Sequence, residues 1–227
     1  MGTNSGKKAR KAIGEDSGRV GFRSVQPLNY IQETYIDALK DNQVIFGIGS
    51  TGTGKTYIAT SYAAELLYYK QIDKIIITRP NVEAGPTLGH LPGELEEKYM
   101  PYLVPFIDTF NEKLGSSFTD YCIKSKAIEA IPIGFLRGRS FKDCLVILDE
   151  AQNTTPAQMK LLLSRIGTNC KMVVDGDIKQ CDLKGPNGLE DAVDKLEGIQ
   201  GIEVVRFLDS DIIRSPLCKK IILAYNK

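Results

Sequence analysis

Residues 44–67 constrain this chain more than any other stretch, because three different local conformations follow one another there without a break. Val44-Ile-Phe-Gly-Ile48 reads as a buried strand, Gly49-Ser-Thr-Gly-Thr-Gly-Lys55-Thr56 as a glycine turn, and Tyr57 to Leu67 as a helix. The turn fits G-x-x-x-x-G-K-[ST]. Its glycines let backbone N–H groups point inward around an anion, where side chains would otherwise intrude. Gly49, Ser50, Thr51, Gly52, Thr53, Gly54, Lys55 and Thr56 are therefore candidate triphosphate-binding residues. Lys55 can reach the β/γ-phosphates and the Thr56 hydroxyl can hold Mg²⁺. The helix that starts here adds its positive dipole end.

The rest of the chain continues the alternation. Leu28 to Leu39 reads as a helix with Ile31, Tyr35, Ile36 and Leu39 on one stripe. Short apolar runs at Lys74–Thr78, Leu145–Leu148, Met172–Val174 and Val204–Phe207 read as strands. Helices are expected over Glu94–Lys113, kinked or split by Pro101 and Pro105, and over Pro156–Ile166, Gly188–Leu196 and Pro216–Tyr225. Pro80 to Gly93 is a Pro/Gly-rich loop. Five strands apolar on both faces, alternating with helices, imply an α/β fold with a parallel sheet covered on both sides.

Composition removes several function classes. No apolar run is long enough to span a bilayer, and the polar, basic start of the chain has no apolar signal region, so a cytoplasmic location is expected. The five cysteines are scattered with no C-x-x-C pair and His90 is the only histidine, which argues against a zinc site and a disulfide framework. Residues 1–24 carry six basic and two acidic side chains, so the remainder is −3 against a total of +1. This flexible N-terminal arm either touches nucleic acid or is a solvated tail; residues 25–227 form the folded domain.

Two further motifs carry chemistry. Leu145-Val-Ile-Leu-Asp149-Glu150 ends a buried strand in two carboxylates. Asp149 suits a Mg²⁺ ligand, and Glu150 can orient and polarise an attacking water, which favours hydrolysis over transfer to a metabolite. Gly176-Asp177-Ile-Lys-Gln180 follows the next strand, where ligands bind in open α/β folds, and the Gln180 amide can hydrogen-bond a γ-phosphate or a water. Upstream, Gln32 in Pro27-Leu-Asn29-Tyr-Ile-Gln32 can pair with adenine through N6 and N7, although a helix-surface glutamine is more often solvated.

In this order the stretches resemble the PhoH-like family, whose ATPase domain looks like the first motor domain of superfamily 1 helicases. The likeness covers nearly all of residues 26–227. It rests on Phe46–Thr56, Ile77-Thr-Arg-Pro-Asn-Val-Glu-Ala-Gly85 with Leu88-Gly-His-Leu-Pro-Gly93, Gly138-Arg-Ser-Phe141, Leu148-Asp-Glu-Ala-Gln-Asn-Thr-Thr155, Gly176–Gln180 and Asp211-Ile-Ile-Arg-Ser-Pro-Leu217. The resemblance implies a RecA-like P-loop core that binds and hydrolyses ATP with Mg²⁺, possible RNA or single-stranded DNA unwinding, and a homo-oligomeric ring, a hexamer by family analogy. It assigns Lys55 and Thr56 to the triphosphate, Asp149 and Glu150 to metal and water, Gln180 to the γ-phosphate, and Asn29 with Gln32 to the adenine side.

Such helicases use a second RecA-like domain to supply arginines, and 227 residues leave no room for one. The resemblance therefore implies a catalytic arginine from a neighbouring subunit, with Arg214 first, Arg206 second and Arg139 third; a head-to-tail donation closes into a ring. Arg79 and Lys98 flank the Pro/Gly-rich segment as possible nucleic-acid contacts, and Tyr99, Tyr102 and Phe106 are either stacking surfaces or core. Two competing readings use the same loop: a nucleotide-switched binding module with little turnover, and a small-molecule kinase, against which the Asp149-Glu150 pair and the Gly176–Gln180 motif speak.

Overall fold

The computed structural model of the protein describes residues 22–80 and 95–225. The sheet has six strands: β1 (Val44–Ile48), β2 (Lys74–Thr78), β3 (Ile128–Ala130), β4 (Cys144–Leu148), β5 (Cys170–Gly176) and β6 (Ile202–Arg206). Their order is β3-β2-β4-β5-β1-β6 and every pairing is parallel. The helices are α1 (Tyr30–Asp41), α2 (Lys55–Tyr68), α3 (Leu95–Leu114), α4 (Ser116–Lys124), α5 (Pro156–Leu163), α6 (Gly188–Leu196) and α7 (Pro216–Tyr225).

The two-residue period of the strands divides their apolar side chains between two cores. Ile45, Ile75, Ile77, Leu145, Ile147 and Val173 face α1 to α4, where Tyr35, Leu39, Ile58, Phe106 and Phe110 are buried. Phe46, Val146, Leu148, Met172 and Val174 face the other way, onto Met159 and Leu162 of α5 and Leu189 of α6. Both faces of the central strands are thus dry, which is why they read as unbroken apolar runs. This is the α/β class expected of the chain, a parallel sheet covered by helices on both sides.

Local signals set most helix starts. The Asn29 carboxamide caps α1 by accepting from Gln32 N at 3.0 Å, and Asn187 caps α6. Thr155 and Gln158 form a reciprocal capping box with Pro156 in the first turn of α5.

Three sequence expectations need correction. The sheet has six strands, not five, because β3 was missed: it is three residues long, carries Glu129 at its centre and is recognisable only by pairing with β2, where Lys74 meets Glu129 at 2.8 Å. The helix α4 after Gly115 was missed as well. And of the two alternatives for α3, kinked or split, the split one falls, since it runs as one helix through Pro101 and Pro105. Each internal proline costs about 3 kcal/mol; burial of Leu103, Phe106 and Phe110 offsets it at a few kcal/mol per large side chain. Phe106 is fully buried core, not a stacking surface. The Pro/Gly-rich loop lies almost wholly outside the described residues, as do His90 and the basic arm up to residue 21. The side chains of Lys98, Tyr99 and Tyr102 are likewise outside them. Among the described residues no helix is long and apolar enough to cross a membrane.

Candidate functional site

The carboxyl ends of β1, β4 and β5 meet at one edge of the sheet. Gly49 N donates to Gly176 O at 3.0 Å and Asp149 N to Thr78 O at 3.1 Å. This brings three sequence motifs, far apart in the chain, around one cavity of about 340 Å³. That lies at the lower end of the ~300–1,000 Å³ of ligand pockets. Lys55, Thr56, Asp149, Glu150, Gln180 and Arg214 all line it.

The glycine turn forms a cradle that side chains would fill. Gly54 has φ +94°, and a Cβ there would sit 2.5 Å from the Gln32 amide nitrogen. The Lys55 ammonium donates to Gly49 O at 2.6 Å and Ser50 O at 2.9 Å, folding over the loop's own carbonyls. Burial pulls its pKa down, against the opposing fields of Asp175, Asp177, Asp149 and Glu150. Ser50 and Thr53 are buried in the turn, while Thr51 and Gly52 line the cavity.

Thr56 Oγ1 lies 3.4 Å from Asp149 Oδ1. That is the hydroxyl–carboxylate pair a hard cation takes, and a small shift would let one ion touch both. Burial pushes the Asp149 pKa up, with Arg79 opposing. Arg79 Nη2 sits 2.7 Å from Asp149 Oδ2 and 3.4 Å from Glu150 Oε1. Arg79 is therefore turned onto the carboxylates rather than held out for a nucleic-acid phosphate. Asp177 also lines the cavity; among the described residues its buried Oδ2 has no hydrogen-bond partner, so it can accept from a ligand donor. Cradle and donor set both fit a Mg²⁺–triphosphate.

Glu150 stands at φ +56°, a left-handed conformation rare outside glycine. Its Oε2 accepts from Gln152 Nε2 at 2.7 Å, and Gln152 Oε1 accepts from Asp177 N at 3.0 Å. The buried Gln152 thus ties the Glu150 carboxylate to the loop bearing the exposed Gln180. A second tie runs outside the cradle: the Ser50 hydroxyl donates to Asp209, which Lys179 meets at 3.0 Å. Beneath the site, Tyr35 Oη donates to Asp175 Oδ1 at 2.5 Å, and burial pushes the Asp175 carboxyl up to about 7.

The adenine-side candidates are placed differently from the others. Gln32 is 4% exposed; its Nε2 donates to Thr53 O at 2.8 Å and its Oε1 accepts from Leu28 N at 2.9 Å. In this arrangement the amide links the glycine turn to the segment leading into α1, and Asn29 serves as the helix cap. Of the arginines, Arg206 is held by Glu197 through contacts of 2.6 and 2.7 Å, and Arg139 does not line the cavity. Arg214 lines the cavity of its own chain.

Sequence reasoning gave no role to Gln152, Asp175 or Asp209, and placed Arg79 at a nucleic-acid contact rather than at the carboxylates. Gln152 had a usable signal, a second amide two residues after Glu150. Asp209 and Asp175 had none, since their partners are 159 and 140 residues away.

The sequence matches the family described as PhoH-like protein over residues 24–226. It is 47% identical over 207 residues to the "PhoH-like protein" of Bacillus subtilis, covering 90% of this chain and 65% of that one. It is 44% identical over 202 residues to "Protein PhoH" of Escherichia coli K12, covering 87% and 57%. The chain therefore spans less than two thirds of either relative. Among solved structures, Pif1 helicase from Candida albicans aligns over 81% of this chain and 40% of that one, with TM-score 0.42 and 18% identity.

Proposed function

Because the chain belongs to the PhoH-like protein family and carries a P-loop NTPase site, we propose that it binds ATP with Mg²⁺ and hydrolyses it, as a homo-oligomeric ATPase acting on RNA or single-stranded DNA. The observation that carries the hydrolytic reading is the meeting of Thr56 and Asp149 with Glu150 and Gln180 in one cavity. A metabolite kinase needs no second carboxylate beside the metal ligand; a hydrolase uses one to hold water.

In this reading the backbone N–H groups of residues 51–54 cradle the phosphates, and Lys55 turns from its loop carbonyls to the β/γ oxygens. Thr56 and Asp149 would hold Mg²⁺, which supplies positive charge against the transferring phosphoryl group. Glu150, fixed by Gln152, orients the attacking water, and Gln180 contacts the γ-phosphate or that water. Arg79 must release Asp149 for this to occur. That ion pair is the one observation favouring the slower alternative, a nucleotide-switched module, because it opposes cation entry until something draws Arg79 away.

The test is phosphate release from ATP with and without Mg²⁺, single-stranded RNA and single-stranded DNA, beside a native mass measurement. Mg²⁺-dependent turnover raised by one polymer is expected. Tight ATP binding with no release under any condition would leave the switch module; no ATP binding would remove both.

A further inference from the structure

The segment between β6 and α7 is bound to the phosphate loop along its length. Phe207 N donates to Ile48 O at 2.7 Å, Asp209 accepts from Ser50, and Ile213 N donates to Gly52 O at 2.8 Å. Ile212 beside that last contact is buried. The next residue is thereby fixed against the turn: Arg214 Cγ and Nε lie 3.0 and 3.2 Å from where a Cβ on Gly52 would stand.

Arg214 differs from the other cations around the cavity. Lys55 is spread over loop carbonyls, and Arg79 is paired with Asp149. Among the described residues the Arg214 guanidinium has neither an acid partner nor a hydrogen bond. An unpaired guanidinium on the rim of a phosphate cradle matches an anionic ligand, whose oxygens it takes two at a time.

We propose that Arg214 contacts the terminal phosphates of the nucleotide in its own chain, as a catalytic arginine supplied in cis. This rests on the ATPase reading above and replaces the expectation of donation from a neighbouring subunit. A neighbour's arginine would have to enter a rim that this chain's own residue already occupies. The backbone tie through Ile213 also makes Arg214 move with the loop, so its position does not depend on assembly.

The experiment uses the full chain with Arg214→Ala and Arg214→Lys. Fluorescent ATP and ADP analogues give affinity, phosphate release gives turnover, and thermal melting checks the fold. Turnover of Arg214→Ala should fall about a thousandfold, within the ~10³–10⁵ an arginine supplies in phosphoryl transfer. ADP affinity and melting temperature should stay near wild type, and Arg214→Lys should recover part of the rate. Excess Lys55→Ala protein, which carries Arg214 but cannot fill its own pocket, is then mixed in, with exchange followed by native mass spectrometry. Unchanged low turnover after exchange, or the same loss in a monomeric wild-type background, supports the cis assignment. Rescue by the Lys55→Ala copies, or full turnover by Arg214→Ala, overturns it while leaving the ATPase reading intact. A wild type that binds no ATP overturns both.

Discussion

The carboxamide of Gln152 donates to Oε2 of Glu150 at 2.7 Å while accepting from Asp177 N at 3.0 Å. One buried side chain therefore sets the Glu150 carboxylate and the loop from Asp177 to Gln180 together. Gln152→Ala should lower ATP turnover about tenfold to a hundredfold, the range for losing a group that orients a catalytic ligand, with ATP affinity unchanged. Turnover and affinity measured side by side check it. Wild-type turnover would show that Glu150 holds its place without the amide.

Lys55→Ala should abolish ATP binding, because no other described cation stands over the loop carbonyls. Glu150→Gln should keep binding and lose about 10²–10⁴ in turnover, the contribution of a positioned base. Isothermal titration and phosphate release separate the two. Full turnover by Glu150→Gln would take that residue out of the water role.

Asp209 has two partners of unequal weight. The Lys179 pair is exposed, and such pairs contribute ~0–1 kcal/mol. The bond from buried Ser50 is partly buried and charge-assisted, and is worth more. Asp209→Ala should weaken ATP binding about tenfold, ~1.4 kcal/mol, and Lys179→Ala much less. Equal losses from the two substitutions would mean that the salt bridge, not the hydroxyl contact, holds the loop.

Asp175 should give the protein a distinct pH response. Folded, the carboxyl keeps its proton until about pH 7, chiefly because of burial; unfolded, it ionises near ~3.9. Between those values the folded state binds more protons, so stability falls as pH rises through the window. Asp175→Asn can still accept from Tyr35 and has no charge to bury. Its melting temperature should decline less than wild type's between pH 4 and pH 7. Parallel curves for the two proteins would mean that Asp175 is ionised throughout.

Much of this was legible beforehand. The central strands are apolar on both faces, so local composition alone marked β1, β2, β4 and β5. Pro156, a proline tolerated in a first turn, placed the start of α5. Lys55, Thr56, Asp149, Glu150 and Gln180 were legible because each sits at a fixed step from a strand end, and strand ends meet at one edge of a parallel sheet. The short β3 was not, because a three-residue strand with a central glutamate has no period of its own. Nor was the continuity of α3 through two prolines, where tertiary burial outweighed backbone preference.

Arg79, Gln32 and Arg214 mark the division most clearly. Their residue types announced charge and hydrogen-bonding capacity, and from sequence they were given to nucleic acid, adenine and a neighbouring subunit. Folding turned Arg79 onto Asp149 and Gln32 onto Thr53, and it set Arg214 beside Gly52, the position from which the cis proposal starts. The sequence by itself determined which groups are present and which stand at a strand's end, because those follow from local order along the backbone. Which partner each long polar side chain takes was decided only by tertiary structure, because the candidates lie tens of residues apart and are selected by distance in space.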